Sequence, residues 1–123
     1  MDKKESSEMY LETILVLTKS IGNVRSLDIA REMGYSKPSV SSAMSKLRNE
    51  RYVEVGENGY VRLTNSGREI AEKVYERHTI ISAVLEKIGV NPKTAAEDAC
   101  RIEHVISDES FLAIKDRLYK VSK

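Results

Sequence analysis

Tryptophan is absent, phenylalanine and cysteine occur once each, and there are only two prolines and six glycines in 123 residues. A lone Cys100 excludes an internal disulfide and leaves three roles open: buried filler, reactive thiol or metal ligand. With prolines only at 38 and 92, and no Gly/Ser tract, repeat or low-complexity stretch, the chain is not modules strung on linkers but reads as continuously folded. No apolar run approaches the roughly 18 to 20 residues that span a bilayer, and Met1-Asp2-Lys3-Lys4-Glu5 is not followed by a signal-peptide core, so a cytoplasmic location is expected. An excess of one charge is also missing. Twenty Lys and Arg stand against nineteen Asp and Glu, a net +1, so any surface for nucleic acid must come from the local distribution of charge. What remains, 41% apolar and 32% charged, is one small domain or one domain with a short appendage; two large domains are excluded.

Helix dominates the pattern. From Ser6 or Ser7 to about Ser20, the apolar residues Met9, Tyr10, Ile14, Leu17 and Ile21 recur at spacings of three and four, ending near Gly22-Asn23. Ser26 is placed to cap a short helix through Met33, stopped by Gly34. Ser36 and Pro38 open a third, with Val40, Ala43, Met44 and Leu47 on one face and polar residues on the others. Tyr52-Val53-Glu54-Val55 and Tyr60-Val61-Arg62-Leu63, separated by Gly56-Glu57-Asn58-Gly59, predict a two-stranded hairpin. Thr64-Asn65-Ser66-Gly67 caps a long helix running to Gly89, and Asn91-Pro92 opens another to about Ile106. Ser107 caps a last one bearing Phe111, Leu112, Ile114, Leu118 and Val121. The fold class is mainly α, with a boundary expected between residues 64 and 65.

Ala30, Gly34 and Val40 have the spacing of a helix-turn-helix: a small residue at the crossing, a glycine in the turn and a branched apolar residue facing back. The hairpin that follows makes it a winged helix. A DNA-reading helix needs small hydrogen-bonding groups at its amino end, which Ser36, Ser39, Ser41 and Ser42 supply, together with cations for phosphate. Residues 25–68 hold eight basic side chains against five acidic ones, a local excess of three. The residues assigned to DNA are Arg25, Ser36, Lys37, Pro38, Ser39, Ser42, Lys46, Arg48 and Arg62. Winged helices also serve as protein-interaction modules, and salt-dependent DNA binding separates the two readings.

Cys100, Glu103 and His104 stand at i, i+3 and i+4 on one predicted helix, so a thiol, a carboxylate and an imidazole share a face. His78 on the preceding helix, and Met9 with Glu12 on the first, are further donors. Sulfur, nitrogen and oxygen together suit a first-row transition metal better than Mg²⁺ or Ca²⁺. Each residue also has an ordinary structural role available: Met9 and Cys100 in the core, the histidines as capping or surface groups, the glutamates as solvated charge.

Four stretches resemble the diphtheria toxin repressor family, which includes iron-dependent repressors and shorter manganese transport regulators. They are Glu8-Met9-Tyr10-Leu11-Glu12-Thr13-Ile14, Ser36-Lys37-Pro38-Ser39-Val40-Ser41, Leu63-Thr64-Asn65-Ser66-Gly67, and the segment from Glu97 through Cys100-Arg101-Ile102-Glu103-His104 to Glu109. The resemblance covers nearly the whole chain in order. It implies a homodimeric repressor with an amino-terminal winged helix and a helical metal-binding and dimerisation domain (residues 65–123), which binds double-stranded operator DNA when Fe²⁺ or Mn²⁺ is plentiful. Carried over residue by residue, it implies a primary site of Met9, Cys100, Glu103 and His104, with His78 matching a ligand of a neighbouring site. Two other ligands of that neighbouring site correspond to Ser82 and Ala96, so one complete site per chain is expected, although Glu12 matches a carboxylate of the manganese branch. The expected architecture is the short form, without the SH3-like domain of the longer iron repressors.

Thioether and thiolate donors favour Fe²⁺ over Mn²⁺ by softness. Two other functions are compatible with parts of the chain. One is a winged-helix regulator sensing redox through Cys100, its thiol made more acidic by Arg101 and His104. The other is a small metal-dependent hydrolase with Glu103 or Glu12 as general base, for which no oxyanion donors are visible and the helix-turn-helix goes unused.

Overall fold

The computed structural model describes the backbone of residues 3–122 and the side chains of residues 6–118. In chain order the elements are α1 (Lys3–Ile21), β1 (Val24–Arg25), α2 (Ser26–Met33), α3 (Lys37–Asn49), β2 (Val53–Val55), β3 (Tyr60–Leu63), α4 (Asn65–Lys87), α5 (Pro92–Ile102) and α6 (Asp108–Ser122). The chain divides into two compact units between Glu72 and Lys73, within α4.

The first unit is built on the faces that the apolar spacing marks out. Leu11, Ile14 and Leu15 of α1, Ile29 and Ala30 of α2, and Val40, Met44 and Leu47 of α3 meet in one core with Val24, Val53 and Val61 of the sheet. Ile70 and Ala71 from the start of α4 close it. Leu11, Ile14 and Leu15 are essentially inaccessible to solvent, and each such aliphatic chain contributes about 1.5–3 kcal/mol on burial. That anchors α1 firmly to the helices it packs on.

Local chemistry sets the boundaries. Gly34 ends α2 in the left-handed region (φ 71°), its N–H donating to the Ala30 carbonyl, a geometry that a side chain would strain. Ser36 caps α3: its Oγ accepts from the Ser39 N–H at 3.3 Å, and Pro38 sits in the first turn, where no N–H is needed. Thr64 plays the same part for α4, its Oγ1 accepting from the Gly67 N–H at 3.1 Å. Gly67 must be glycine for another reason. A Cβ there would lie 2.0 Å from the Tyr52 carbonyl oxygen, so α4 leaves the wing at a backbone-to-backbone approach.

The wing has three strands rather than two. β1 adds to the hairpin in the order β1-β3-β2, all antiparallel, with Val24 opposite Val61 and Arg25 opposite Tyr60. Other departures from the sequence pattern are small. α1 begins before Ser6, and Ser26 is the first residue of α2, whose cap is Arg25, with its backbone N–H bonded to the Asp28 carboxylate at 2.9 Å. Ile21 and Leu112, expected on apolar faces, are 52% and 60% exposed; the side chain of Val121 lies outside the described residues.

In the second unit, Ile80 and Ile81 of α4, Ala99 of α5 and Phe111 of α6 form a core, with Leu85, Ile102, Ile106, Ile114 and Leu118 against it. α5 stops at Ile102 instead of continuing to Ile106. Glu103 keeps helical dihedrals and donates its N–H to Ala99, while Val105 and Ile106 both turn back onto the Ile102 carbonyl. Ser107 then caps α6 through its Oγ, which accepts from the Ser110 N–H at 3.1 Å.

Candidate metal centre and nucleic-acid interface

On the first unit, burial of Val40, Met44 and Leu47 turns the opposite side of α3 outward. Arg25, Ser36, Lys37, Pro38, Ser39, Ser42, Lys46, Arg48 and Arg62 are all exposed. Two of the serines are partly committed to the cap, Ser36 Oγ donating to Ser39 Oγ at 2.9 Å, which leaves Ser42 and the cations freer to meet a partner. On the wing, the Arg25 guanidinium lies 4.5 Å above the centre of the Tyr60 ring, which holds the cation in place by stacking. Exposed cations around an exposed polar helix start are what a duplex backbone and groove edge require.

Near the turn between α2 and α3, Tyr10 of α1 packs its ring against Tyr35, with centroids 6.1 Å apart. Burial, and to a lesser degree the neighbouring Tyr35 hydroxyl, push the Tyr10 phenol above its usual value. Met9 and Glu12 flank it on α1, both half-buried.

The second unit brings three of the sequence-identified donors together. The Glu103 carboxylate has no solvent exposure. Its Oε2 lies 3.0 Å from Nδ1 of His78 on α4, and its Oε1 lies 3.3 Å from Nε2 of His104 in the turn after α5. Cys100, half-buried, stands one helical turn before His104. The shortening of α5 therefore matters: Cys100 is on the helix, Glu103 is its cap, and His104 is in the following turn, so the three do not share a continuous helix face. Taking a carboxylate fully out of water costs several kcal/mol unless positive charge or donors are brought to it. A shielded carboxylate flanked by two imidazole nitrogens, with a thiol one turn away, is a donor set that a first-row divalent cation fits.

Sequence reasoning missed Arg77. It falls on the apolar stripe between Val74 and Ile81, is only 8% exposed, and donates through Nη1 to the carbonyls of Glu103 (3.3 Å) and Ile106 (2.7 Å) and through Nη2 to the Asp108 carboxylate. A charged residue at an otherwise apolar spacing was the available signal. Asp108 also meets Lys73 at 3.3 Å; the Lys73 hydrogen bond and charge, followed by the Arg77 charge, hold its carboxyl below its usual value.

A winged helix with an exposed basic, serine-rich reading face, followed by a helical unit with clustered transition-metal donors, defines a metal-dependent DNA-binding regulator. Two family models cover almost the entire chain: the iron-dependent repressor N-terminal DNA-binding domain matches residues 3–62, and the iron-dependent repressor metal-binding and dimerisation domain matches residues 64–123. The chain belongs to the iron-dependent repressor family, a family of metal-dependent transcriptional repressors and not of enzymes. It is 32% identical over 113 residues to the transcriptional regulator MntR of Escherichia coli O157:H7, covering 92% of this chain and 73% of the relative. It is equally similar, at 32% over 123 residues, to the diphtheria toxin repressor of Corynebacterium diphtheriae, of which it spans 53%. Among solved structures it resembles the manganese regulator SloR, with a TM-score of 0.81 and 27% identity over 92% of this chain. The chain spans about half the length of that structure, 53%. Among the described residues, no helix is long and apolar enough to cross a membrane.

Proposed function

We propose that this protein is a repressor that binds double-stranded operator DNA as a homodimer, with Fe²⁺ or Mn²⁺ as co-repressor. Residues 1–64 form the reading head and residues 65–123 the metal-binding and dimerisation domain. The observation that carries the reading is the buried Glu103 carboxylate set between His78 and His104, on a unit that follows an exposed basic winged helix. Glu103, the two histidines and the sulfur donors would hold a divalent transition metal, which would supply positive charge beside the buried carboxylate. Met9, Cys100, Glu103 and His104 are the primary ligands by family correspondence, with Glu12 and His78 as further donors. Fe²⁺ is favoured over Mn²⁺, because the thioether of Met9 and the thiolate of Cys100 are soft donors.

The chain's own part in the switch is mechanical. Met9 and Glu12 ride on α1, and α1 is locked by Leu11, Ile14 and Leu15 into the core that also holds α2 and α3. Engaging the α1 donors therefore selects a position of the whole reading head from a broader ensemble. In a homodimer, the selected position places two α3 helices in successive major grooves, about 34 Å apart. Lys37, Lys46 and Arg48 then contact phosphates, while Ser42 faces base edges.

The test is fluorescence anisotropy of a labelled operator, recovered by selection from genomic fragments, with metal-free protein titrated anaerobically with Fe²⁺, Mn²⁺ or chelator. Binding that appears with metal and disappears with chelator is the expected result, and the order of the two ions assigns the metal. His104→Ala should remain a folded dimer whose DNA affinity no longer responds to metal. DNA binding indifferent to either ion would sink the reading.

A further inference from the structure

We propose that Arg77 is a positioning residue for the metal centre, its buried guanidinium holding the 103–108 turn so that the Glu103 carboxylate sits between His78 and His104. The proposal rests on the metal-centre reading above. Arg77 precedes His78 on α4, so one turn of that helix carries both a donor and the clamp for two others. The guanidinium reaches the end of α5 through the Glu103 carbonyl, the middle of the turn through the Ile106 carbonyl, and the start of α6 through Asp108. Its Cζ stands over the Phe111 ring, 5.5 Å from the centre. A planar group with donors in a fixed fork sets direction as well as distance, which the flexible ammonium of lysine does not.

The docking of α6 has other supports. Phe111 is buried in the second core, Lys73 meets Asp108 at 3.3 Å, and Lys115 meets Glu76 at 3.0 Å. The two carbonyl bonds, by contrast, fall on the segment that carries Glu103 and His104, and one is made to Glu103 itself. Burying a cation is costly unless its hydrogen bonds are well made. An arginine on an apolar stripe, spent on the main chain of a donor residue, is explained by the need to orient that residue.

The experiment uses the full chain, metal-free and anaerobic, with Co²⁺ and Mn²⁺ as probes, comparing wild type with Arg77→Lys, Arg77→Met and Asp108→Ala. Circular dichroism and thermal melts of the apo proteins report folding. Co²⁺ titration reports affinity, and the visible absorption of the bound ion reports its coordination geometry. Both Arg77 variants should bind Co²⁺ and Mn²⁺ at least tenfold more weakly and with altered Co²⁺ absorption, however little their apo melts change. Asp108→Ala, which removes one of the three attachments, should weaken binding about threefold. Wild-type affinity and absorption in Arg77→Lys would overturn the positioning role while leaving the metal centre intact. Should both Arg77 variants fail to fold, an unchanged Asp108→Ala would overturn it and a weakened one would support it. A wild-type chain that binds neither ion would overturn the metal centre and this proposal with it.

Discussion

Gly67→Ala should destabilise the first unit, although the same change within a helix ordinarily stabilises by up to about 1 kcal/mol. Gly67 is the third residue of α4, and a Cβ there would meet the Tyr52 oxygen at 2.0 Å, its carbonyl carbon at 3.0 Å and its Cα at 3.3 Å. All three atoms are backbone, so no side chain can swing aside. Relief requires the start of α4 to move from the strand entry by about 1 Å, bringing the closest approach to a tolerable 3.0 Å. Such a shift strains the bonds that tie the two segments: Thr64 N–H to the Tyr52 carbonyl (3.0 Å), Thr64 Oγ1 to the Arg51 carbonyl (2.7 Å) and the Gly67 N–H to Thr64 Oγ1 (3.1 Å). Overpacking of this kind costs about 1–3 kcal/mol, and a weakened cap adds about 1 kcal/mol. Set against the helix-propensity gain, the net loss is about 1–3 kcal/mol, or a Tm lower by roughly 4–24 °C for a unit of this size. Thermal and urea melts would compare Gly67→Ala with Ser66→Ala, an exposed neighbour expected to change stability by less than about 0.5 kcal/mol. A Gly67→Ala protein as stable as wild type would refute the close-approach argument.

Three further outcomes follow from the geometry. Because Lys73 and Arg77 hold the folded Asp108 carboxyl below its ordinary value of 3.8, its contribution to stability is complete above that value and is lost as pH falls through the lower folded one; Asp108→Asn should flatten the acid limb of a Tm-versus-pH curve, and an unchanged limb would show that the ion pairs contribute nothing. Ser36→Ala should cost about 0.5–1 kcal/mol in urea melts through loss of the α3 cap, and no change would mean that the long 3.3 Å bond to Ser39 carries no energy. Lys37→Ala or Arg48→Ala should each weaken DNA binding similarly on all sequences and lower the salt slope by about one; an unaltered slope removes that residue from the phosphate contacts.

The reading head was written largely in local pattern. Gly34, Ser36 and Pro38 mark the turn and the start of α3, Val40, Met44 and Leu47 mark its buried face, and the run from Gly56 to Gly59 marks the hairpin, because caps, turns and apolar period all act within a few residues of themselves. The donor types were legible as well, since thiol, carboxylate and imidazole within five residues are uncommon in a chain with one cysteine and two histidines. Three features were not. β1 is two residues long and exists only because β3 offers it an edge. α5 ends at Ile102, where Val105 and Ile106 fold back onto one carbonyl, so the spacing that suggested one helical face gives a helix, a cap and a turn instead. Arg77 is legible only as a charge set among apolar positions; its partners, 26 to 31 residues away, are brought to it by folding.

The same division runs through the donor cluster. Composition and spacing along the chain chose which atoms could bind a transition metal, because that depends on residue type alone. Which of them meet was settled by folding: His78 lies 25 positions before Glu103, and nothing local relates them. Packing of α4 against α5 brings the imidazole to the carboxylate, and the same burial strips that carboxylate of water, so its chemistry is a property of the packed unit and not of the residue.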